Sequence, residues 1–184
     1  MRQTLLTLVP VLLLAGCADQ AASPMAEANA SSAQVGQGAI VHKVSVGGPD
    51  ICPAFGAHPG CDGNLSLIAI QREDGSISGQ WNDSYGGGYS MHANVDCLLV
   101  QLIPGRTTLE AWIGGVITTP DLAGHRVIMR VRDNGTSMND PLPDALSRAI
   151  VDPEQDRTNP VSSNCLDKGL IGLARTPQGQ VTIW

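Results

Sequence analysis

The sequence predicts an all-β domain, a small antiparallel barrel or sandwich of about eight or nine strands connected largely as a meander. Short runs of alternating or β-branched apolar residues recur between turn signals from residue 39 onward. No part of this region carries apolar residues at helical spacing. The runs that we expect to form strands are Ala39 to Val46, Asn64 to Arg72, Ser76 to Asn82, Gly88 to Leu102, Thr107 to Thr118, Gly124 to Arg132, Ala145 to Val151, Gly169 to Arg175 and Gln180 to Trp184.

Turn residues separate these runs and indicate how the strands connect. Asp74-Gly75 lies between two runs, and a two-residue Asp-Gly loop favours the type I′ turn of an antiparallel hairpin. Pro104-Gly105 and Pro177-Gln178-Gly179 separate two further pairs. We therefore expect mainly hairpin connections.

Alternation within the runs predicts which side chains form the core. Apolar residues share one parity from Tyr89 to Leu99, and His92, Asn94 and Asp96 share the other. A weaker alternation runs from Gly124 to Arg132. The side chains expected in the core are Tyr89, Met91, Ala93, Val95, Cys97, Leu99, Val127, Met129, Val131, Ile77, Trp81, Leu109 and Ile113.

The first residues have the composition of a secretory signal. Arg2 supplies a positive charge, and the mostly apolar run Thr4 to Leu14 follows it. As a helix this run would rise only about 16 Å, and a bilayer core requires about 20 residues. Leu14-Ala15-Gly16-Cys17 resembles the lipobox of bacterial lipoproteins, which implies cleavage before Cys17 and a signal peptide over residues 1–16. The alternative is an ordinary signal cut at a small-residue site.

The lipobox resemblance also implies an anchor and a destination. In bacterial lipoproteins the lipobox Cys is diacylated and the new amino terminus is usually acylated as well, so palmitate is expected on Cys17. Two or three acyl chains hold a protein firmly, at about 0.8 kcal/mol per buried CH₂. Ala18 stands where the family's best-known retention signal has Asp, which favours the outer membrane if the host has two membranes.

Residues 17–38 have the composition of a flexible tether that begins at the lipidated Cys17. They are rich in Ala, Ser and Gln and contain no aromatic residue. Such a segment cannot bury enough apolar area to offset the entropy of ordering it. About 20 residues give a typical reach near 25 Å. The rest of the chain, residues 39–184, is one domain long.

The charge of the chain argues against nucleic acid as a partner. Removing Arg2 with the signal changes the formal net charge from −6 to −7. A nucleic-acid-binding surface needs a basic patch that neutralises phosphates. Arg126, Arg130 and Arg132 form only a small cluster, which is typical of one solvated strand face.

Four cysteines remain once Cys17 is lipidated, an even number in an exported domain where disulfides form. Three pairings are open. Cys52 and Cys61 flank a loop with two prolines and several glycines, so we favour a local bridge there. That pairing leaves Cys97 for Cys165.

One strand face carries the candidate ligand-binding residues His92, Asn94 and Asp96. Side chains at this period-two spacing suit a metal or a general base. An exposed strand face has the same pattern, and it is the interpretation that we favour. His42, His58 and His125 are scattered, and no zinc-site spacing occurs.

The segment from Asp133 to Asp144 is rich in hard oxygen donors. Asp133, Asn134 and Asp140 are the candidate metal ligands, and such donors suit Ca²⁺. The segment lacks the spacing and the terminal Glu of an EF-hand. Asp, Asn, Gly and Pro are also the commonest turn residues, so a turn is the favoured interpretation.

Parts of the domain also resemble a group of exported, β-rich bacterial proteins of unknown function. The matching parts are Asp74–Gln80, Val95–Leu98, Ala111–Thr118 and Val131–Pro141. The resemblance implies a β-meander and supplies no catalytic residue.

The leading functional hypothesis is a non-enzymatic envelope module that binds a small ligand or an envelope protein through an open end or an exposed face. The chain carries no Gly-x-Ser-x-Gly elbow or other familiar catalytic motif. The alternatives are a periplasmic or surface hydrolase that uses Asp96, Asp133 or Asp140, and a Ca²⁺-stabilised structural domain. No cofactor apart from this candidate Ca²⁺ is expected.

Overall fold

A computed structural model describes residues 38–49, 64–85, 89–135, 142–155, 162–176 and 180–184. Within these ranges the chain forms β-strands and short 3-10 turns and contains no α-helix, which confirms the all-β prediction. The strands are β1 Ile40–Pro49, β2 Asn64–Arg72, β3 Ile77–Tyr85, β4 Tyr89–Leu102, β5 Leu109–Ile117, β6 Arg126–Asp133, β7 Ala145–Leu146, β8 Ile150–Val151, β9 Ala174–Arg175 and β10 Val181–Ile183.

All the described strands belong to one curled antiparallel sheet that forms a half-barrel. The strand order is β10-β1-β2-β3-β4-β5-β6-β7-β9, and β8 pairs with β6 beside this path. Strands β1 to β6 follow one another as a meander, as predicted. Two of the predicted strands are shorter than expected. Ala145 to Val151 forms two strands of two residues each, and only the last two residues of Gly169 to Arg175 form a strand.

The loop between β2 and β3 differs from the predicted two-residue turn. The backbone N–H of Arg72 donates to the carbonyl of Ser76, so three residues form the loop. The N–H of Gly75 donates to the carbonyl of Arg72 at 2.9 Å, and Gly75 has a φ of +80°. A three-residue hairpin loop places its left-handed residue last, and here only Gly75 takes that conformation. The type I′ prediction was therefore wrong, although the hairpin itself was right. Pro177-Gln178-Gly179 lies outside the described residues.

The inner face of the sheet holds the main hydrophobic core. Trp81 is fully buried there, and Gly79 beside it allows close packing, because a Cβ at Gly79 would lie 2.0 Å from the carbonyl oxygen of Ile68. The fully buried large side chains in this core are Val44, Leu67, Trp81, Leu98, Ile113, Ile117, Val127, Met129, Val131, Leu146 and Val181. Most of the alternation-based core assignments are thus confirmed.

A β-bulge in β4 overturns two of those assignments. Val95 pairs with Gly115 and Cys97 with Gly114, so Asp96 is one extra residue in β4. The extra residue reverses the parity of the strand. Leu98 consequently joins the inner core, and Cys97 and Leu99 pack on the outer face.

A second, smaller apolar cluster lies on that outer face. It contains Trp112, Ile128, Ile150, Cys165 and Ile171, with Cys97 and Leu99 packed against it. The segment 162–176, which we call the strap, crosses this cluster. The strap is fixed by the Cys97–Cys165 disulfide, with a Cα–Cα distance of 6.0 Å. This pairing was predicted; Cys52 and Cys61 lie outside the described residues.

Two further hydrogen bonds hold the strap to the sheet. The indole N–H of Trp112 donates to the carbonyl of Gly169 at 3.0 Å, and Arg130 Nη1 donates to the carbonyl of Ile171 at 3.1 Å. The strap therefore covers the outer cluster by covalent and polar contacts together.

Carboxylates bond the free side of β10. One side of β10 pairs with β1, while the N–H groups of Val181 and Ile183 point the other way. Asp144 Oδ2 accepts the N–H of Val181 at 2.9 Å, and Asp133 Oδ2 accepts that of Ile183 at 2.8 Å. These side chains thus connect β10 to the β6–β7 region.

Candidate functional site

The bulge in β4 builds the candidate site. As the extra residue, Asp96 lies on the outer surface, where it meets Arg126 at the start of β6. Arg126 Nη1 lies 2.5 Å from Asp96 Oδ2. The two side chains are 31% and 46% exposed respectively, so this ion pair is accessible to a partner.

Gly114 leaves room for Arg126 between the sheet and the strap. A Cβ at Gly114 would lie 3.2 Å from the Cβ of Cys97, 3.4 Å from Arg126 Nη2 and 3.7 Å from the carbonyl oxygen of Ser163. A larger residue would displace the guanidinium or the strap. The absence of a side chain at this position is therefore part of the site.

The strap forms the other wall. Asn164 caps the 3-10 turn Cys165–Asp167, because its side chain accepts the N–H of Leu166 at 3.1 Å. Leu166 is 56% exposed. The resulting outer cleft has a volume of about 350 Å³ and is lined by Ile77, Asp96, Cys97, Arg126, Ser163, Asn164 and Leu166. Its lining combines an ion pair, an amide and a hydroxyl with aliphatic side chains.

A smaller cleft of about 160 Å³ continues on the other side of Arg126 and Ser163 and also contains Asp152 and Glu154. The Ser163 hydroxyl donates to Glu154 Oε1 at 2.7 Å, and its N–H donates to the same oxygen at 3.2 Å. These bonds hold the pKa of Glu154 below its usual value. His125 Nδ1 lies 2.6 Å from Asp152 Oδ2. The edge of the site is thus set by local polar contacts.

A buried ionic network joins β5 and β6 toward the opposite end of β6 from Arg126. Glu110 is 3% exposed, and both its oxygens lie 2.9 Å from Arg130 Nη2. Arg132 also donates to it, from Nε at 2.6 Å and from Nη2. Burial acts to raise the pKa of Glu110, but the hydrogen bonds and charges of the two arginines outweigh it, so the pKa is lowered overall.

The same network reaches the strap through Arg130. Its guanidinium lies 5.0 Å from the centre of the Trp112 ring, in the geometry of a cation–π contact. The predicted solvated arginine face is therefore wrong for Arg130 and Arg132, which are partly buried and paired. Arg126 alone of the three faces the outer cleft.

The structure separates the three predicted ligand-binding residues. His92, Asn94 and Asp96 are all exposed. His92 Nδ1 contacts Asn82 Oδ1 at 2.6 Å, toward the Tyr85 end of β3. Asp96 instead pairs with Arg126 in the outer cleft, which Ile77 at the other end of β3 also lines. They share a face without forming one site, and only Asp96 lines the outer cleft.

The described candidate metal ligands, Asp133 and Asn134, make hydrogen bonds to the backbone. Asp133 Oδ1 accepts the N–H of Gly135, and its Oδ2 accepts that of Ile183. Asn134 Nδ2 donates to the carbonyl of Pro143, and Asp140 lies outside the described residues. In the described ranges, no group of three His, Cys, Asp or Glu side chains is placed to hold a metal.

Sequence reasoning missed Ser163, Asn164 and Leu166. The predicted pairing of Cys97 with Cys165 was the signal that could have located the neighbours of Cys165 beside β4. The contact of Asp96 with Arg126 had no such signal, because it depends on the register of three strands.

No protein-family model matches the chain, and no curated protein or solved structure matches it either. None of the helical segments in the described ranges is long and apolar enough to cross a membrane.

Proposed function

We propose that this protein is a lipid-anchored envelope module that binds a protein or peptide partner in the outer cleft beside Arg126. The carrying observation is the preassembled cleft: a bulge presents Asp96, a glycine makes room for Arg126, and a disulfide fixes the opposite wall. Binding sites that are fixed before the partner arrives lose less entropy on association. The anchor at Cys17 remains part of this proposal.

The chemistry of the outer cleft suits a peptide surface. Arg126 offers N–H donors and a positive charge, Asp96 offers an acceptor, and Asn164 offers an amide. Exposed Leu166 supplies an apolar contact next to them. Energetically important residues of protein interfaces are enriched in arginine and lie among apolar contacts.

The inner face gives less support for a ligand held inside the half-barrel. Trp81, Leu98 and Met129 are each almost completely buried in the core there. Close-packed side chains occupy the space that a ligand would need.

Neither alternative function is favoured by a described contact. Asp96 is bound to Arg126, and Asp133 accepts backbone N–H groups with both oxygens. The two carboxylates are associated with opposite ends of β6, about 23 Å apart along a strand of this length. A carboxylate pair that acts on one bond must lie far closer than that.

A photo-crosslinking amino acid at Leu166 tests the proposal in the native envelope. We expect it to trap a defined partner, and Arg126→Ala to reduce that adduct at least about tenfold through the loss of a charged contact. The exposed pair contributes little to folding, so the variant should melt within a few degrees of the wild type.

The matched control places the same amino acid at Leu102, which is also exposed but pairs with Leu109, itself paired with Asp133, at the opposite end of β6 from Arg126. If the adducts at Leu102 and Leu166 are identical, or if Arg126→Ala leaves the Leu166 adduct unchanged, the cleft is not the binding site. An adduct formed only with a small molecule would contradict the proposal of a peptide partner and would indicate a small ligand instead.

A further inference from the structure

Five of the nine large apolar side chains that are exposed in the described part of the chain lie at one end of the sheet. Ile40 pairs with Arg72 at the end of β2, and Leu102 pairs with Leu109, which in turn pairs with Asp133. Asp133 also bonds Ile183, the neighbour of Trp184. The register thus places these chain segments at the same end.

We define the tether rim as the large apolar side chains at this end that are between 40% and 58% exposed: Ile40, Val41, Leu102, Leu142 and Trp184. Leu142 belongs to it because it precedes β7, whose Ala145 pairs with Arg132 near the end of β6. Val41 belongs to it as the extra residue of a bulge between Ile40 and His42.

The chain that leads from Cys17 joins the domain at this same end. Gly38 lies beside the β2–β3 loop, since its carbonyl accepts a hydrogen bond from Arg72 Nη1 at 2.9 Å and the N–H of Glu73 donates to Ala39. The tether rim therefore lies at the end of the domain where the chain from the expected lipid anchor enters it.

We propose that the tether rim contacts the lipid surface to which Cys17 is anchored, so that the domain stands with this end on the membrane. The inference rests on the lipid anchor of the proposed function. A tether of about 20 residues confines the domain at an effective concentration in the millimolar range, so a modest apolar surface suffices for contact.

The residues of the rim have the chemistry of a membrane interface. Tryptophan is enriched where lipid head groups meet the acyl chains. The ammonium of Lys43 lies 4.6 Å from the centre of the Trp184 ring, which leaves a cation beside the indole at head-group depth.

Charge at this end is close to balanced. Lys43, Arg72 and Arg106 carry three positive charges, and the carboxylates of Glu73, Asp74 and Asp133 offset them. We therefore expect apolar contact to dominate, with similar binding to neutral and anionic phospholipids. This distinguishes the tether rim from a polybasic surface, whose binding requires anionic lipid.

Trp184 is the reporter for the test. It is 52% exposed, whereas Trp81 and Trp112 are 0% and 3% exposed inside the domain. The lipidated protein is incorporated into phosphatidylcholine vesicles with brominated acyl chains, and incorporation of labelled palmitate is measured on the same sample. We expect quenching of Trp184 emission that disappears in Trp184→Phe.

Leu102→Asp should lower the equilibrium constant for rim contact at least about tenfold, because a charge replaces an exposed aliphatic side chain that the contact would transfer from water to lipid. Ile40→Asp is the second variant, should the first fail to fold. Leu122→Asp, at the opposite end, should leave quenching unchanged.

Palmitate incorporation without quenching of Trp184 would overturn the rim contact and leave the anchor intact. Equal losses from Leu102→Asp and Leu122→Asp would also overturn it. If no palmitate is incorporated, the anchor itself fails and the inference fails with it.

Discussion

Glu110 is the residue on which the outer-face network depends. Its carboxylate accepts hydrogen bonds from Arg130 and Arg132 while almost completely buried. Removing one member of a buried ion pair leaves the other charge without compensation, at a cost of about 3 to 5 kcal/mol. Both arginines retain some exposure to water, which places the expected cost near the lower limit.

Glu110→Gln should therefore lower the free energy of unfolding by about 3 kcal/mol at neutral pH, measured by urea denaturation. Asp96→Asn is the control, because its ion pair is exposed and such pairs contribute about 1 kcal/mol or less. Equal effects of the two substitutions would contradict the assignment of Glu110 as the support of the network.

The same substitution has a pH signature. Because the pKa of Glu110 is lowered in the folded protein, its stabilising contribution is present above the ordinary value of 4.5 and is lost as the pH falls through the folded pKa. The difference in stability between wild type and Glu110→Gln should therefore shrink as the pH falls below that value. A difference that is constant with pH would rule this out.

The residues of the inner core followed from the sequence where the strands are regular. Trp81 and Val127 lie in the core as alternation predicts. Cys97 and Leu99 do not, because a strict period of two assumes that no residue is inserted. The bulge at Asp96 is defined by the pairing with Gly114 and Gly115 on β5, and local alternation does not contain that information.

At the scale of elements, the strap depends on the Cys97–Cys165 disulfide. The bond closes a loop of 68 residues. In the chain-entropy model a loop of this length contributes about 4 kcal/mol. Without the bond, Trp112 and Arg130 still provide two hydrogen bonds to the strap.

Replacing Cys97 and Cys165 together by alanine should lower the free energy of unfolding by about 4 kcal/mol and should leave Cys52 and Cys61 untouched. In this double variant we also expect amide hydrogen exchange at Leu166 and Ile171 to become faster than in the wild type and faster than at core strand positions, because the strap opens without global unfolding. Unchanged exchange in the strap would show that its polar contacts hold it without the disulfide.

Element boundaries were predictable where hairpins follow one another. β2 coincides with the predicted run, whereas Gly169 to Arg175 was assigned as a strand although most of it belongs to the strap. A short apolar run does not reveal whether its backbone pairs with a strand or crosses a sheet. That outcome depends on Trp112 and Arg130, which are distant in sequence and bond its carbonyls.

For the whole molecule, the sequence predicted the all-β class and the meander, but not the way the last strand connects to the rest. β10 pairs with β1 on one side and is bonded by Asp133 and Asp144 on the other. Residues from Asp133 onward were considered as a turn or a calcium site, because Asp is common in both. Asp144 and Asp133 accept the N–H groups of residues that are 37 and 50 positions away along the chain. These contacts depend on the curl of the sheet, which no local pattern describes.

Asp144 makes the attachment of β10 sensitive to pH, in the opposite sense to the effect of pH on the Glu110 network. Burial raises its pKa above 3.8 despite the backbone hydrogen bonds that it accepts. Its contribution to stability is therefore fully present below that value and is lost as the pH rises through the folded pKa. At neutral pH the buried carboxylate is retained because its two oxygens accept the N–H groups of Asn134 and Val181.

Asp144→Asn keeps one acceptor and turns an amide N–H₂ toward one of these donors, so we expect a loss of about 1 to 3 kcal/mol in the free energy of unfolding. Since only the wild type gains stability from protonation of this residue, the loss should be greater at acid pH than at neutral pH. Urea denaturation at both pH values measures it, with exposed Asp121→Asn as the control. If Asp144→Asn unfolds like Asp121→Asn, the Asp144 carboxylate does not hold β10 in place, and the pairing with β1 and the bond to Asp133 are enough to keep this strand attached.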